Sequence, residues 1–195
     1  MSDVIRTFIA IELPVFIKTA IAGVQEVLKR KIAGIRWMAP DNIHLTLAFL
    51  GDVRPEDIVR IREALSGAVM NVSPFFLSAR GLGAFPGLSR PRVIWTGIGE
   101  DVGCLEALSR DLNDQLESTG FSTEKRRFAG HLTMGRAREK VNAIGLMDCV
   151  KEMKDFETRR FAVNEAVLMK SDLRPVGPVY SVLFKAGFRK GSIGS

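Results

Sequence analysis

Ile43-His44-Leu45-Thr46-Leu47-Ala48-Phe49-Leu50 is the stretch on which the reading of this chain turns. Aliphatic, aromatic and β-branched residues run together until Gly51-Asp52, which is the composition of a β-strand with a turn after it. With side chains alternating at period two, His44, Thr46 and Ala48 are expected on one face and Leu45, Leu47 and Phe49 on the other. The frame returns once, as His131-Leu132-Thr133-Met134, and these are the only two histidines among the 195 residues. Histidine is the side chain whose ordinary pKa, about 6.5, lets it exchange a proton near neutral pH. Two of them in matched surroundings point to a paired acid and base.

Outward from this strand, the elements alternate in type. Arg6 to Leu13 reads as a strand ended by Pro14, and Ile17, Ile21, Val24 and Leu28 recur at helical spacing through a helix from Val15 to Lys31. A short strand over Gly34–Met38 and a turn over Ala39–Asn42 lead into the first histidine. A helix from Pro55 to Val69 comes next, then strands over Phe75–Arg80 and Val93–Gly97 around a loop rich in Gly and Pro. Leu105, Leu108, Leu112 and Leu116 mark a helix from Val102 to Ser118, and a weaker one is expected between Val141 and Lys154. Arg160–Met169 and Val179–Phe188 close the pattern as strands about a turn at Pro175-Val176-Gly177-Pro178, and the small residues 191–195 read as a flexible tail.

Strands and helices in this mixture predict an α+β fold rather than a regular βαβ series. Each half of the chain carries one His-x-Thr frame, which predicts an internal duplication: a single domain over residues 1–195 with two pseudo-symmetric lobes. If the lobes face one another, the His-Thr pairs meet across a groove.

Composition narrows the function. No stretch reaches the roughly 18 uncharged apolar residues of a membrane helix, and the N-terminus lacks the pattern of an export signal, so a cytoplasmic protein is expected. Cys104 and Cys149, without CxxC spacing, read as reduced and partly buried thiols. The formal charge of +6 and the clusters Lys29-Arg30-Lys31, Lys125-Arg126-Arg127, Arg136 with Arg138, and Arg159-Arg160 favour an anionic partner such as RNA or a phosphate ester.

Several chemistries lack their residues. Two histidines without a carboxylate or thiolate set are too few for a closed zinc site, so no metal is expected. Gly-x-Ser-x-Gly, a Cys beside a His, and the glycine loops that cradle nucleotide phosphates are also missing, and no cofactor is expected. Cleavage of a phosphoester fits what remains. In-line displacement needs a base for the nucleophile and an acid for the departing oxygen, which two imidazoles on opposite walls supply. The Thr46 and Thr133 hydroxyls can donate to the non-bridging phosphate oxygens, and Arg136, three residues past Thr133, can neutralise the charge there.

In these residues the chain resembles the 2H phosphoesterases, and within them the bacterial and archaeal RNA 2',3'-cyclic phosphodiesterases, also called 2'-5' RNA ligases. The likeness runs through Arg6–Pro14, Ile35-Arg36-Trp37, Asn42–Gly51, Gly81–Pro86, Arg90–Trp95, His131–Arg136, Leu168–Leu173 and Gly177–Tyr180. It implies two lobes, each an antiparallel sheet with helices packed outside, and an active groove between them. It also implies metal-independent hydrolysis of a 2',3'-cyclic phosphate, on an RNA end or a cyclic nucleotide, to a 2'-phosphomonoester. A monomer is expected. By the same resemblance His44 is the proton donor to the leaving 3' oxygen and His131 the acceptor from water; the two frames are too alike to assign these roles themselves. Thr46, Thr133 and Arg136 map onto the phosphate-binding positions. Joining of RNA ends through a 2'-5' linkage is the reverse reaction. A module that binds RNA or nucleotides with little turnover is the alternative from another class. One departure stands out: Gly130 precedes the second histidine where the family usually has proline, leaving the entry to that strand looser.

Overall fold

The computed structural model describes residues 4–123, 127–139, 141–175 and 177–189. The tail at 191–195 and Lys125-Arg126 lie outside the described residues.

Among the described residues nine strands form one antiparallel sheet. In chain order they are β1 (Ile5–Ile11), β2 (Ile35–Trp37), β3 (Leu45–Val53), β4 (Phe75–Phe85), β5 (Val93–Glu100), β6 (His131–Ala137), β7 (Phe161–Val163), β8 (Glu165–Arg174) and β9 (Gly177–Gly187). Four helices accompany them: α1 (Val15–Lys31), α2 (Ile58–Val69), α3 (Val102–Ser118) and α4 (Ala143–Glu152). The strand order is β7-β4-β5-β6-β3-β1-β8-β9, with β2 on the other part of β6. Two half-sheets are therefore fused at their centre, where β3 and β6 share the pair Leu45↔Leu132.

Both leucines are fully buried. Removing each from water contributes about 1.5–3 kcal/mol. The pleat sorts the rest: Ile9 and Ile11 of β1 join the large core with residues from all four helices, while Phe8 and Ala10 join Val167 and Met169 in a small cluster on the opposite face. Helices thus cover one face of the sheet and leave the other for a groove.

The lobes are not the two halves of the chain. β1 and β3 of one lobe are completed by β8 and β9 from the C-terminal end, and β2 crosses to pair with β6. The strand expected over Arg160–Met169 breaks at Asn164 for this reason, since β7 pairs with β4 in one lobe and β8 with β1 in the other. The helix expected from Pro55 starts as a 3₁₀ turn over Pro55–Asp57, and α4 is capped by the Asn142 side chain, which accepts from the Gly145 amide at 3.1 Å.

The cluster Lys29-Arg30-Lys31 forms the last turn of α1, where cations complement the helix dipole. Lys29 and Lys31 there pair with Glu26 and Glu152. Of the two free cysteines, Cys149 is buried but Cys104 is exposed, against the expectation for both; burial pushes the Cys149 thiol up. Among the described residues no helix is long and apolar enough to cross a membrane.

Candidate active site

The Leu45↔Leu132 pair fixes where the two histidine frames meet. Continuing that antiparallel register by one residue each way sets His44 across from Thr133 and Thr46 across from His131. The leucines face the core, so the four polar residues share the opposite face. A pseudo-twofold axis passes between the leucines. On either side β3 and β6 part, and the groove opens there.

Each ring is fixed in the same way. His44 Nδ1–H donates to the Asn42 carbonyl at 2.9 Å, and His131 Nδ1–H donates to the Ala129 carbonyl at 2.7 Å. A carbonyl only accepts, so in both rings the proton sits on Nδ1 and Nε2 is left for the groove. This anchor holds His131 although Gly130 precedes it. A Cβ at Gly130 would come within 3.0 Å of Leu105 Cδ2 on α3, so the glycine admits close packing of that helix.

Aromatic rings wall both histidines. Phe8 stacks on His44 at 4.6 Å between centroids, and Tyr180 meets it edge-on at 5.2 Å. On the other side Phe85 meets His131 edge-on at 4.9 Å, and Trp95 lies 6.4 Å away. Trp95 reaches that position across the backbone of Gly83, where a Cβ would fall 2.3 Å from the indole. Burial pushes His44 down to about 4, against the opposing hydrogen bond to Asn42 and with a smaller contribution from Lys18. In the free site His44 is neutral at pH 7.

Two cavities meet at the centre. The one on the His44 side, about 410 Å³, holds Thr46, Thr133, Arg6, Arg36, Arg136 and Tyr180, with no Asp or Glu among the described residues of its lining. Arg36 faces Arg136 directly across β2 and β6. Like charges in that register repel, and an anion between them would remove the penalty. Burial raises the Tyr180 hydroxyl's pKa, with Arg136 and Arg6 opposing. The second cavity, about 350 Å³, lies on the His131 side. Thr46 and Phe49 line both.

All five residues singled out from the sequence, His44, His131, Thr46, Thr133 and Arg136, therefore lie along one groove. Strand alternation misplaced Phe49 and Ala48. β1 pairs Ala10 with Thr46 and Ile9 with Ala48, so Leu47 is an extra residue on β3. That bulge reverses the pleat: Ala48 turns inward and Phe49 outward, 49% exposed. β6 repeats the device, since Trp95 pairs with Thr133 and Ile94 with Gly135, leaving Met134 extra and turning Arg136 to the groove. Arg6, Arg36 and Tyr180 carried no signal of their own as site residues, because only strand order brings them to the histidines. Among the described residues no three His, Cys, Asp or Glu side chains cluster as a metal site.

Known proteins share this architecture. A family model described as LigT-like phosphoesterase matches residues 11–95 and 100–180, segments that each contain one histidine frame. The chain is 34% identical to the RNA 2',3'-cyclic phosphodiesterase of Thermotoga maritima, over 96% of this chain and 98% of that one. It is 32% identical to the protein of the same name from Methanothermobacter thermautotrophicus, over 91% and 95%. Among solved structures, E. coli LigT complexed with 3'-AMP superimposes with a TM-score of 0.76 at 27% identity, over 96% of this chain and all of that one. With the same fold, both histidine frames and a match across most of its length, the chain belongs to the LigT-like phosphoesterase family.

Proposed function

We propose that this protein hydrolyses 2',3'-cyclic phosphate ends of RNA to 2'-phosphomonoesters, without a metal, by acid and base catalysis from its two histidines. The observation that carries the reading is the pairing of Leu45 with Leu132, which sets both histidines and both threonines about one point. The names of the relatives at 32% and 34% identity, and the binding of 3'-AMP by E. coli LigT, support the substrate class.

In this mechanism His131 Nε2 takes a proton from water as its oxygen attacks phosphorus. The bond from phosphorus to the 3' oxygen breaks, and His44 Nε2–H gives that oxygen its proton. Thr46 and Thr133 donate to the non-bridging oxygens, and Arg136 neutralises the charge gathering on them. An acid with a free-site pKa of about 4 must be loaded by its substrate. An anionic phosphate against Nε2 favours the imidazolium and offsets the desolvation that holds it neutral. An RNA 5'-hydroxyl in place of water runs the reverse, giving a 2'-5' linkage. We place the enzyme in the cytoplasm, as a monomer.

The test is incubation with a 2',3'-cyclic nucleotide in EDTA and identification of the product by phosphorus NMR. A 2'-phosphate is expected. A 3'-phosphate would invert the leaving-group assignment, and absence of turnover would leave a nucleotide-binding module.

A further inference from the structure

Gln25 is a buried polar side chain that the displacement at phosphorus leaves unused. It sits on the apolar stripe of α1, four residues after Ile21 and three before Leu28, and is 1% exposed. A leucine there would simply extend the stripe, whereas an amide in the core costs free energy unless it is hydrogen-bonded. Its Nε2 group donates to two backbone carbonyls, those of Met38 and Met134, each at 2.9 Å. Carbonyls only accept, so the nitrogen with its two protons has to face them.

Both carbonyls sit where the strand ladder ends or breaks. Met134 is the extra residue of the β6 bulge, next to Thr133 and two places before Arg136. Met38 follows the last β2–β6 pair, Trp37↔Gly135, and its N–H also donates to the Met134 carbonyl, at 2.8 Å. From Met38 the chain enters the 3₁₀ turn Pro40–Asn42, whose last carbonyl holds His44 Nδ1. The Asn42 side chain in turn donates to the Pro178 carbonyl at 2.9 Å. Gln25 therefore joins the bulge that turns Arg136 to the groove to the segment that anchors His44. Among the described residues none of α1 lines either central cavity, so Gln25 reaches the site only through these backbone groups.

Resting on the proposed activity, we infer that Gln25 is a positioning residue whose two N–H groups clamp the β6 bulge to the end of β2. The clamp keeps Thr133 and Arg136 aimed at the phosphate while His44 protonates the leaving oxygen. Without it the Met38 and Met134 carbonyls each lose a donor in a buried place, and the two segments part.

Gln25→Met conserves the side-chain volume and removes both donors. Cleavage of 2',3'-cyclic AMP is read as the single-turnover rate constant at saturating enzyme, which does not depend on the folded fraction. Gln25→Met should slow it about tenfold, the scale of a small misplacement of groups around the reacting atoms. Added to Arg136→Met, the same substitution should slow it no more than about threefold, because the guanidinium it aims is gone. A merely structural role would give equal losses in the two backgrounds. That result, or no loss in the wild-type background, would overturn the inference. If Gln25→Met does not fold, hydrogen exchange in the wild-type protein decides: the Gln25 side-chain protons should exchange as slowly as the backbone amides of β6. Exchange at the rate of solvated side-chain amides would overturn the clamp. If the wild-type protein cleaves no cyclic nucleotide, the proposed activity fails, and calorimetry with adenosine 2'-phosphate reads the same cycle. Its affinity should then fall about tenfold on Gln25→Met with Arg136 present and no more than about threefold without it; equal losses would overturn the positioning role.

Discussion

His44 lies between Phe8 and Tyr180, and this burial decides its charge. The unfolded chain takes up a proton at about 6.5 and the folded one only at about 4. The folded-state pKa is lowered, so this group's contribution to stability is complete above pH 6.5 and is lost as pH falls toward 4. Across that window the unfolded state binds up to one more proton, a slope of up to about 1.4 kcal/mol per pH unit. Urea unfolding of the wild-type protein and of His44→Asn should show this difference in slope between pH 6.5 and 4. Parallel curves would place His44 in a solvated site. The identity of the histidines and threonines was legible from their frames alone, as was the sharing of one face by His44 and Thr46. The burial of His44 was not, since Phe8 and Tyr180 reach it from β1 and β9, strands distant in sequence.

At the scale of elements, α1 and α3 span the residues that the apolar spacing marks, because one face of each helix packs on one sheet. Strand bounds were less legible. Bulges at Leu47 and Met134 are properties of the partner strand's register, and neither residue differs in kind from its neighbours. The break at Asn164 is a change of lobe, written in which strands receive β7 and β8 rather than in the apolar pattern. The β6 bulge also constrains the residue next to Met134. A Cβ on Gly135 would fall 2.6 Å from Ile35 Cγ2 and 3.3 Å from the Arg36 carbonyl, both on β2. Gly135→Ala should therefore push β2 away, costing about 1–3 kcal/mol in urea unfolding and displacing Arg36 from the groove. A change within about 0.5 kcal/mol would show that β2 yields freely.

Over the whole molecule, the duplication and the α+β class were legible, while the way the chain is shared between lobes was not. One frame in each half suggested one lobe per half, yet β1 is central and buried on both faces, and it needs β8 from the far end to cover its open edge. The charge distribution is also a property of the assembled groove: Lys29–Lys31 belong to a helix end, whereas Arg6, Arg36 and Arg136 converge from three strands. Hydrolysis of an oligonucleotide with a cyclic phosphate end should accordingly fall more steeply with salt than hydrolysis of a cyclic mononucleotide, since more phosphates are engaged. Equal slopes in kcat/KM would put the RNA path away from these arginines.

The central claim is that the two frames act as one catalytic unit, and a double-mutant cycle under single-turnover conditions tests it. His44→Ala and His131→Ala should each slow cleavage of a 2',3'-cyclic nucleotide by about 10²–10⁴. The double variant should be little slower than either single one, as for residues that serve the same step. Losses that multiply in the double variant, or near-full rate in either single variant, would contradict it.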